Sequence, residues 1–83
     1  MDLNEIRNEI DGIDDELVRL FDRRMALAGE IAAYKRDNGL PVSDRTRERE
    51  IVSRVTQGMD ERLAAYTKVL FSTLFDLSRS VQD

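Results

Sequence analysis

The chain has 83 residues, 41% hydrophobic and 36% charged, carries a net charge of −4, and lacks both histidine and cysteine. Such a chain is one domain near the lower size limit for an adequate core, too apolar to be disordered and too acidic for a general nucleic-acid binder. Without Cys or His there are no thiol nucleophiles, histidine bases, disulfides or usual zinc sites, which suits a cytoplasmic protein with no metal.

The first element is predicted as one long helix, from about Asn4 to Asp37. Leu3, Ile6, Ile10, Ile13, Leu17, Leu20, Leu27, Ile31 and Tyr34 recur at the three-four spacing of a helical seam, uninterrupted by proline. Its first half is acidic and its second half basic, as the helix dipole favours. Gly12 and Gly29 each cost about 1 kcal/mol relative to Ala, and make most sense where another helix crosses closely. At 1.5 Å per residue the helix is about 50 Å long, against a diameter of about 30 Å for a compact globule of this size. It overhangs its own domain, so the sequence predicts an obligate dimer through two-fold pairing of the long helices.

Asn38, Gly39 and Pro41 stop this helix. Ser43 or Asp44 then caps a second helix, about Asp44 to Gln57, which Gly58 ends. Asp44, Arg47, Glu48, Ile51 and Val55 share one side of it, while Arg45, Arg49, Glu50 and Arg54 mostly fall elsewhere and face solvent. After a short connection through Met59, Asp60 and Glu61, a third helix runs from about Arg62 to Val81. Its expected seam is Leu63, Leu70, Leu74, Leu77 and Val81, widened by Val69, Phe71 and Phe75. The fold class is all-α, three helices without strands in a single domain, 1–83. No apolar run approaches the roughly 18 residues of a membrane span, and no signal-peptide pattern opens the chain.

Certain polar residues sit where a plain helical protein would not need them. Arg24 occupies a seam position, and Lys35 follows eleven residues later at almost the same helical angle. A seam arginine either fixes register and snorkels, or receives an anion; a lysine near a helix end also suits the dipole. Arg7 is about 25 Å from Arg24 along the axis and about 100° round it, so it joins the same pocket only from another subunit. Asp44, Arg47 and Glu48 read as a cap with an intrahelical ion pair, or as further pocket groups. Ser78 and Gln82 lie one turn apart on the same side of the third helix. Together these are receptors for carboxylates, a hydroxyl and an oxygen gaining negative charge, with no obvious nucleophile. They suit a reaction that needs a held conformation and charge stabilisation.

At this point the sequence resembles the all-helical AroQ class of chorismate mutases, over essentially its whole length. The most specific part is Gly39-Leu40-Pro41-Val42-Ser43-Asp44-Arg45-Thr46-Arg47-Glu48, similar to the family's entry into helix 2 with its D-x-x-R-E core. The Ile6-Arg7, Arg23-Arg24 and Tyr34-Lys35 neighbourhoods resemble its helix 1, and Ser78 with Gln82 its polar pair near the end of helix 3. The resemblance implies an intertwined, domain-swapped homodimer with two sites. It implies the rearrangement of chorismate to prephenate, on the route to phenylalanine and tyrosine, with no cofactor.

By the same resemblance Arg24, Arg47 and Arg7 of a second copy bind the two carboxylates, assisted by Ser78. Glu48 and Asp44 hold the ring hydroxyl, and Lys35 and Gln82 flank the ether oxygen. Rivals on the same scaffold are an isochorismate-pyruvate lyase and a mutase for the amino analogue of chorismate, against which Glu48 argues. A rival of another class is a non-catalytic helical dimerisation or regulatory module.

Overall fold

The computed structural model describes residues 1–81; Gln82, expected in the site, lies outside the described residues. Three α-helices and no strands are present among them: α1 (Leu3–Asp37), α2 (Arg45–Thr56) and α3 (Glu61–Ser80). Each helix opens on an aspartate. The Asp2, Asp44 and Asp60 side chains accept hydrogen bonds from the Glu5, Arg47 and Leu63 amides at 2.9, 3.0 and 2.8 Å. Each cap satisfies an amide that the helix leaves unpaired, and puts a negative charge at the positive end of the dipole. Of Ser43 and Asp44, the aspartate is the cap of α2.

Two glycines end helices because the chain must enter the left-handed region. Gly39 has φ 66°, which lets Leu40 N donate to Lys35 O (2.8 Å) and Gly39 N to Arg36 O (3.4 Å). This double closure is the Schellman pattern, and it turns the chain back over the last turn of α1. Gly58 has φ 80° and follows Gln57 at φ −59°, ψ 127°, with Met59 N bonded to Thr56 O at 3.1 Å. Those angles are a type II turn, whose third position calls for glycine.

α3 packs against both α1 and α2 and thereby joins them. Its inward stripe is Phe71, Phe75, Ser78 and Arg79, spaced four, three and one residues apart, with Phe75 buried. Of the expected seam Phe75 is buried and Phe71 and Leu74 are half-buried, while Leu63, Val69, Leu70, Leu77 and Val81 are exposed in the single chain. Adjacent residues on a helix point about 100° apart, so Phe71 and Phe75 turning inward carries Leu70 to a flank. On α1 the covered residues are Ala28 and Ala32, one turn apart, whose small side chains let another helix approach closely. Gly12 and Gly29 do not serve such a crossing within the chain, since no atom lies within 4 Å of where a Cβ would stand.

The molecule measures 54 × 26 × 16 Å, with a radius of gyration of 16.0 Å. A compact chain of this length has about 12 Å. Its accessible surface is 6724 Å², whereas a folded monomer of this mass exposes about 5,100 Å². The excess is apolar: Leu3, Ile6, Ile10, Ile13 and Leu17 stand in a row along α1, each between 42% and 59% exposed. None of the described helices is long and apolar enough to cross a membrane.

Candidate active site

The three helices enclose a cleft of about 820 Å³ beside the point where α3 crosses α1. Leu20, Leu27, Ala28 and Ile31 of α1 give it an apolar floor, with Ile51, Val55, Phe71 and Phe75 from the other helices. Above that floor stand Arg24, Lys35, Arg47, Arg54 and Arg79, with the carboxylates of Asp44 and Glu48 and the hydroxyl of Ser78. Cations outnumber carboxylates here although the whole chain carries −4. A pocket of this size and polarity fits a small organic anion.

Each polar group is held by a different device. Arg24 donates from Nη1 to Ser78 Oγ at 2.7 Å and lies over the Phe75 ring, 5.9 Å from its centroid. The planar guanidinium is thus fixed at one edge and one face, half-buried, with further N–H donors available. Lys35 donates one Nζ proton to the Val42 carbonyl at 2.9 Å, so the loop that Gly39 folds back tethers the ammonium. Two more protons remain on that nitrogen for a ligand. Asp44 caps α2, and the first turn so fixed carries Arg47 and Glu48. The Arg47 guanidinium is exposed and lies 3.6 Å from Glu50, a loose surface pair that a better anion displaces at little cost.

Glu48 is gripped from both sides. Arg45 Nη1 donates to its Oε1 at 3.1 Å, and Arg79 Nη1 donates to its Oε2. Arg79 also donates from Nη2 to Asp76. The hydrogen bond to Glu48 is the main reason that the Arg79 pKa stands above its ordinary value, so this residue is a permanent cation.

The cleft therefore gathers Arg24, Lys35, Asp44, Arg47, Glu48 and Ser78, which the sequence singled out on separate helices. Arg7 does not line it; it sits near the far end of α1. Arg54, expected in solvent, is exposed and yet lines the cleft, and Arg45, also expected there, reaches Glu48. Arg79 went unnoticed. Its one sequence signal is its place four residues after Phe75 and next to Ser78, which puts it on the inward stripe.

Comparison with known proteins bears directly on this arrangement. A family model described as chorismate mutase type II matches residues 6–83. The chain belongs to the chorismate mutase type II family. It is 31% identical to the chorismate mutase of Methanocaldococcus jannaschii, over 96% of this chain and 83% of that protein. It is 43% identical over 65% of its length to a bifunctional chorismate mutase/prephenate dehydratase of Aquifex aeolicus, and 39% identical over 55% to the T-protein of Haemophilus influenzae. It spans only 15% and 12% of those two longer proteins. Among solved structures, a conserved hypothetical protein from Pyrococcus furiosus superposes with a TM-score of 0.80 at 31% identity, covering 98% of this chain and 95% of that one.

Proposed function

We propose that this chain is a chorismate mutase that rearranges chorismate to prephenate in aromatic amino-acid biosynthesis, working in the cytoplasm as an intertwined homodimer. The observation that carries this reading is the cleft itself. Arg24, Lys35, Glu48 and Ser78, between 11 and 54 residues apart in sequence, line one half-buried cavity with an apolar floor. The chain has neither histidine nor cysteine, and a unimolecular pericyclic step requires no proton transfer and no nucleophile.

Arg24 and Arg47, with Arg7 from a second copy, pair with the two carboxylates and bring them onto the same side of the ring. That selects the chair-like conformer in which the carbon–carbon bond forms as the carbon–oxygen bond breaks. Negative charge grows on the ether oxygen during the step. Lys35, tethered through Val42, supplies a positioned ammonium there, and Gln82 an amide. Glu48 accepts the hydrogen bond of the ring hydroxyl, with Asp44 beside it. The combined effect required is about 8 kcal/mol, at the low end of enzymatic accelerations.

A second copy is needed to cover the bare seam of α1. The surface in excess of a folded monomer is about 1,600 Å² per chain, so a pair hides about 3,200 Å², within the range of obligate dimers. Two-fold pairing of the long helices brings the Arg7 end of one chain to the cleft of the other, and gives Gly12 and Gly29 a crossing helix. The test is direct. Purified protein mixed with chorismate consumes it with a fall in absorbance and yields prephenate, while sedimentation gives the mass of two chains. Unchanged chorismate, or production of pyruvate instead of prephenate, refutes the assignment.

A further inference from the structure

We infer that Arg79 is a positioning residue that locks Glu48 towards the cleft and sets its preference for a hydroxyl over an ammonium group on the substrate ring. The inference rests on the reading of the cleft as a chorismate site. It concerns a residue that the resemblance does not mark and that only the packing of α3 brings to the site.

Glu48 has two guanidinium partners of unequal value. Arg45 lies three residues earlier on the same helix and its side chain is 65% exposed. It moves with Glu48 and cannot hold the carboxylate relative to the rest of the cleft. Arg79 reaches Glu48 from α3, 31 residues away in sequence, with both side chains mostly covered, 22% and 18% exposed. Its second nitrogen is held by Asp76, one turn back on α3. The residue before it, Ser78, takes the guanidinium of Arg24 at 2.7 Å. Two consecutive residues of α3 thus tie down one group from α1 and one from α2. The group that would bind a carboxylate and the group that would bind the hydroxyl share one rigid frame.

The charge balance follows from the same contacts. A carboxylate has about four acceptor positions, of which the two arginines use two. The remainder accept a hydrogen bond from a neutral hydroxyl. An ammonium in the same place gains less, because Arg45 and Arg79 already offset the charge of Glu48. It also meets Arg24, Lys35, Arg47 and Arg54 on the cleft lining, against which stand Asp44 and the exposed Asp76. Removing Arg79 frees Glu48 to swing and leaves its charge less compensated, which harms the hydroxyl substrate and favours the amine.

The experiment compares chorismate with its analogue carrying an amino group in place of the ring hydroxyl, in the parental dimer, Arg79→Gln, Arg79→Lys and Asp76→Asn. Circular dichroism and sedimentation establish that each is folded and unchanged in mass. In Arg79→Gln, kcat/KM for chorismate falls about ten- to a hundredfold, the cost of a misplaced binding group. The value for the amino analogue falls less or rises, so the ratio of the two moves by about tenfold towards the amine. Arg79→Lys recovers part of the ratio because it keeps the cation and loses the fork. In a Glu48→Gln background, Arg79→Gln changes the ratio little. Asp76→Asn, at an exposed position, moves it the same way by a smaller factor.

A ratio within twofold of the parent in Arg79→Gln, or in Asp76→Asn should the first variant not fold, overturns the inference. A rise in chorismate turnover on losing Arg79 also overturns it, since Arg79 would then be competing with substrate for Glu48. A parental protein that leaves chorismate untouched removes the functional reading, and this proposal with it.

Discussion

Residues 3–20 and residues 24–35 of α1 carry the same three-four spacing, and the chain treats them differently. In the second segment the seam residues Leu27, Ile31 and Tyr34 stay exposed, but Ala28 and Ala32 beside them are buried and Arg24 is pinned to Ser78 over the Phe75 ring. In the first, Ile6, Ile10, Ile13 and Leu17 line up with nothing of their own chain over them. The reason is length. α3 has 20 residues and α1 has 35, so at 1.5 Å per residue α3 covers about 30 Å of a helix of about 52 Å. A helical seam in a sequence states that something packs there; only the lengths of the neighbouring helices tell whether that is the same chain or another.

This contrast can be broken most severely in the bare segment. Ile13→Glu puts an unpaired charge into the proposed helix–helix interface, for a loss of about 4 kcal/mol or more per chain. The dimer mass in sedimentation and the cooperative thermal transition should both disappear at micromolar concentration. In the covered segment the largest effect is on chemistry. Lys35→Ala removes the tethered cation and should lower kcat by about 10²–10³-fold, with an unchanged mass and helix content. Near-parental turnover would take Lys35 out of the site.

The link between the two segments is Arg7. Arg7→Ala should raise KM for chorismate by about tenfold or more, because it removes one charge-assisted bond to substrate. Mixed after co-refolding with Lys35→Ala, it should recover about a quarter of the parental activity. Half of the dimers are then mixed, and each holds one site with both residues intact. Absence of recovery would place Arg7 outside the partner's cleft.

Gln82→Glu tests the second group assigned to the ether oxygen. A protonated carboxyl donates to the ether oxygen as the amide does, whereas an ionised one repels the developing charge. Activity should therefore fall as pH rises through the carboxylate range, about 4.3 for an unperturbed Glu. A pH profile equal to the parental one would remove Gln82 from the site. The mildest prediction concerns the loop that tethers Lys35. Gly39→Ala forces a Cβ into φ 66°, at a cost of about 1 kcal/mol in denaturant unfolding.

The local structure was legible because its causes are local. Ser43 and Asp44 announce the start of α2, and Gly39 and Gly58 announce stops, while the seam of α1 marks an apolar side that its own chain leaves exposed. The candidate groups Arg24, Lys35, Arg47, Glu48 and Ser78 each had an ordinary reading as register, cap, ion-pair or helix-end residues. They were chosen as a set because all three helices present polar groups beside apolar stripes and because the set resembles the family's. What the sequence left open was the rotation of each helix about its own axis. Periodicity says that Phe71, Phe75, Ser78 and Arg79 share a stripe and that Leu63, Leu70 and Leu77 share another, but not which one turns inward.

Tertiary packing decided that, and with it that Arg79 rather than a neighbour grips Glu48, and that Arg54 lines the cleft. The physical reason is range. Capping and helix periodicity act within one or two turns, so the order of residues contains them. The meeting of Glu48 with Arg79, and of Arg24 with Ser78, depends on how three rigid rods lean together, which no single stretch of the chain encodes.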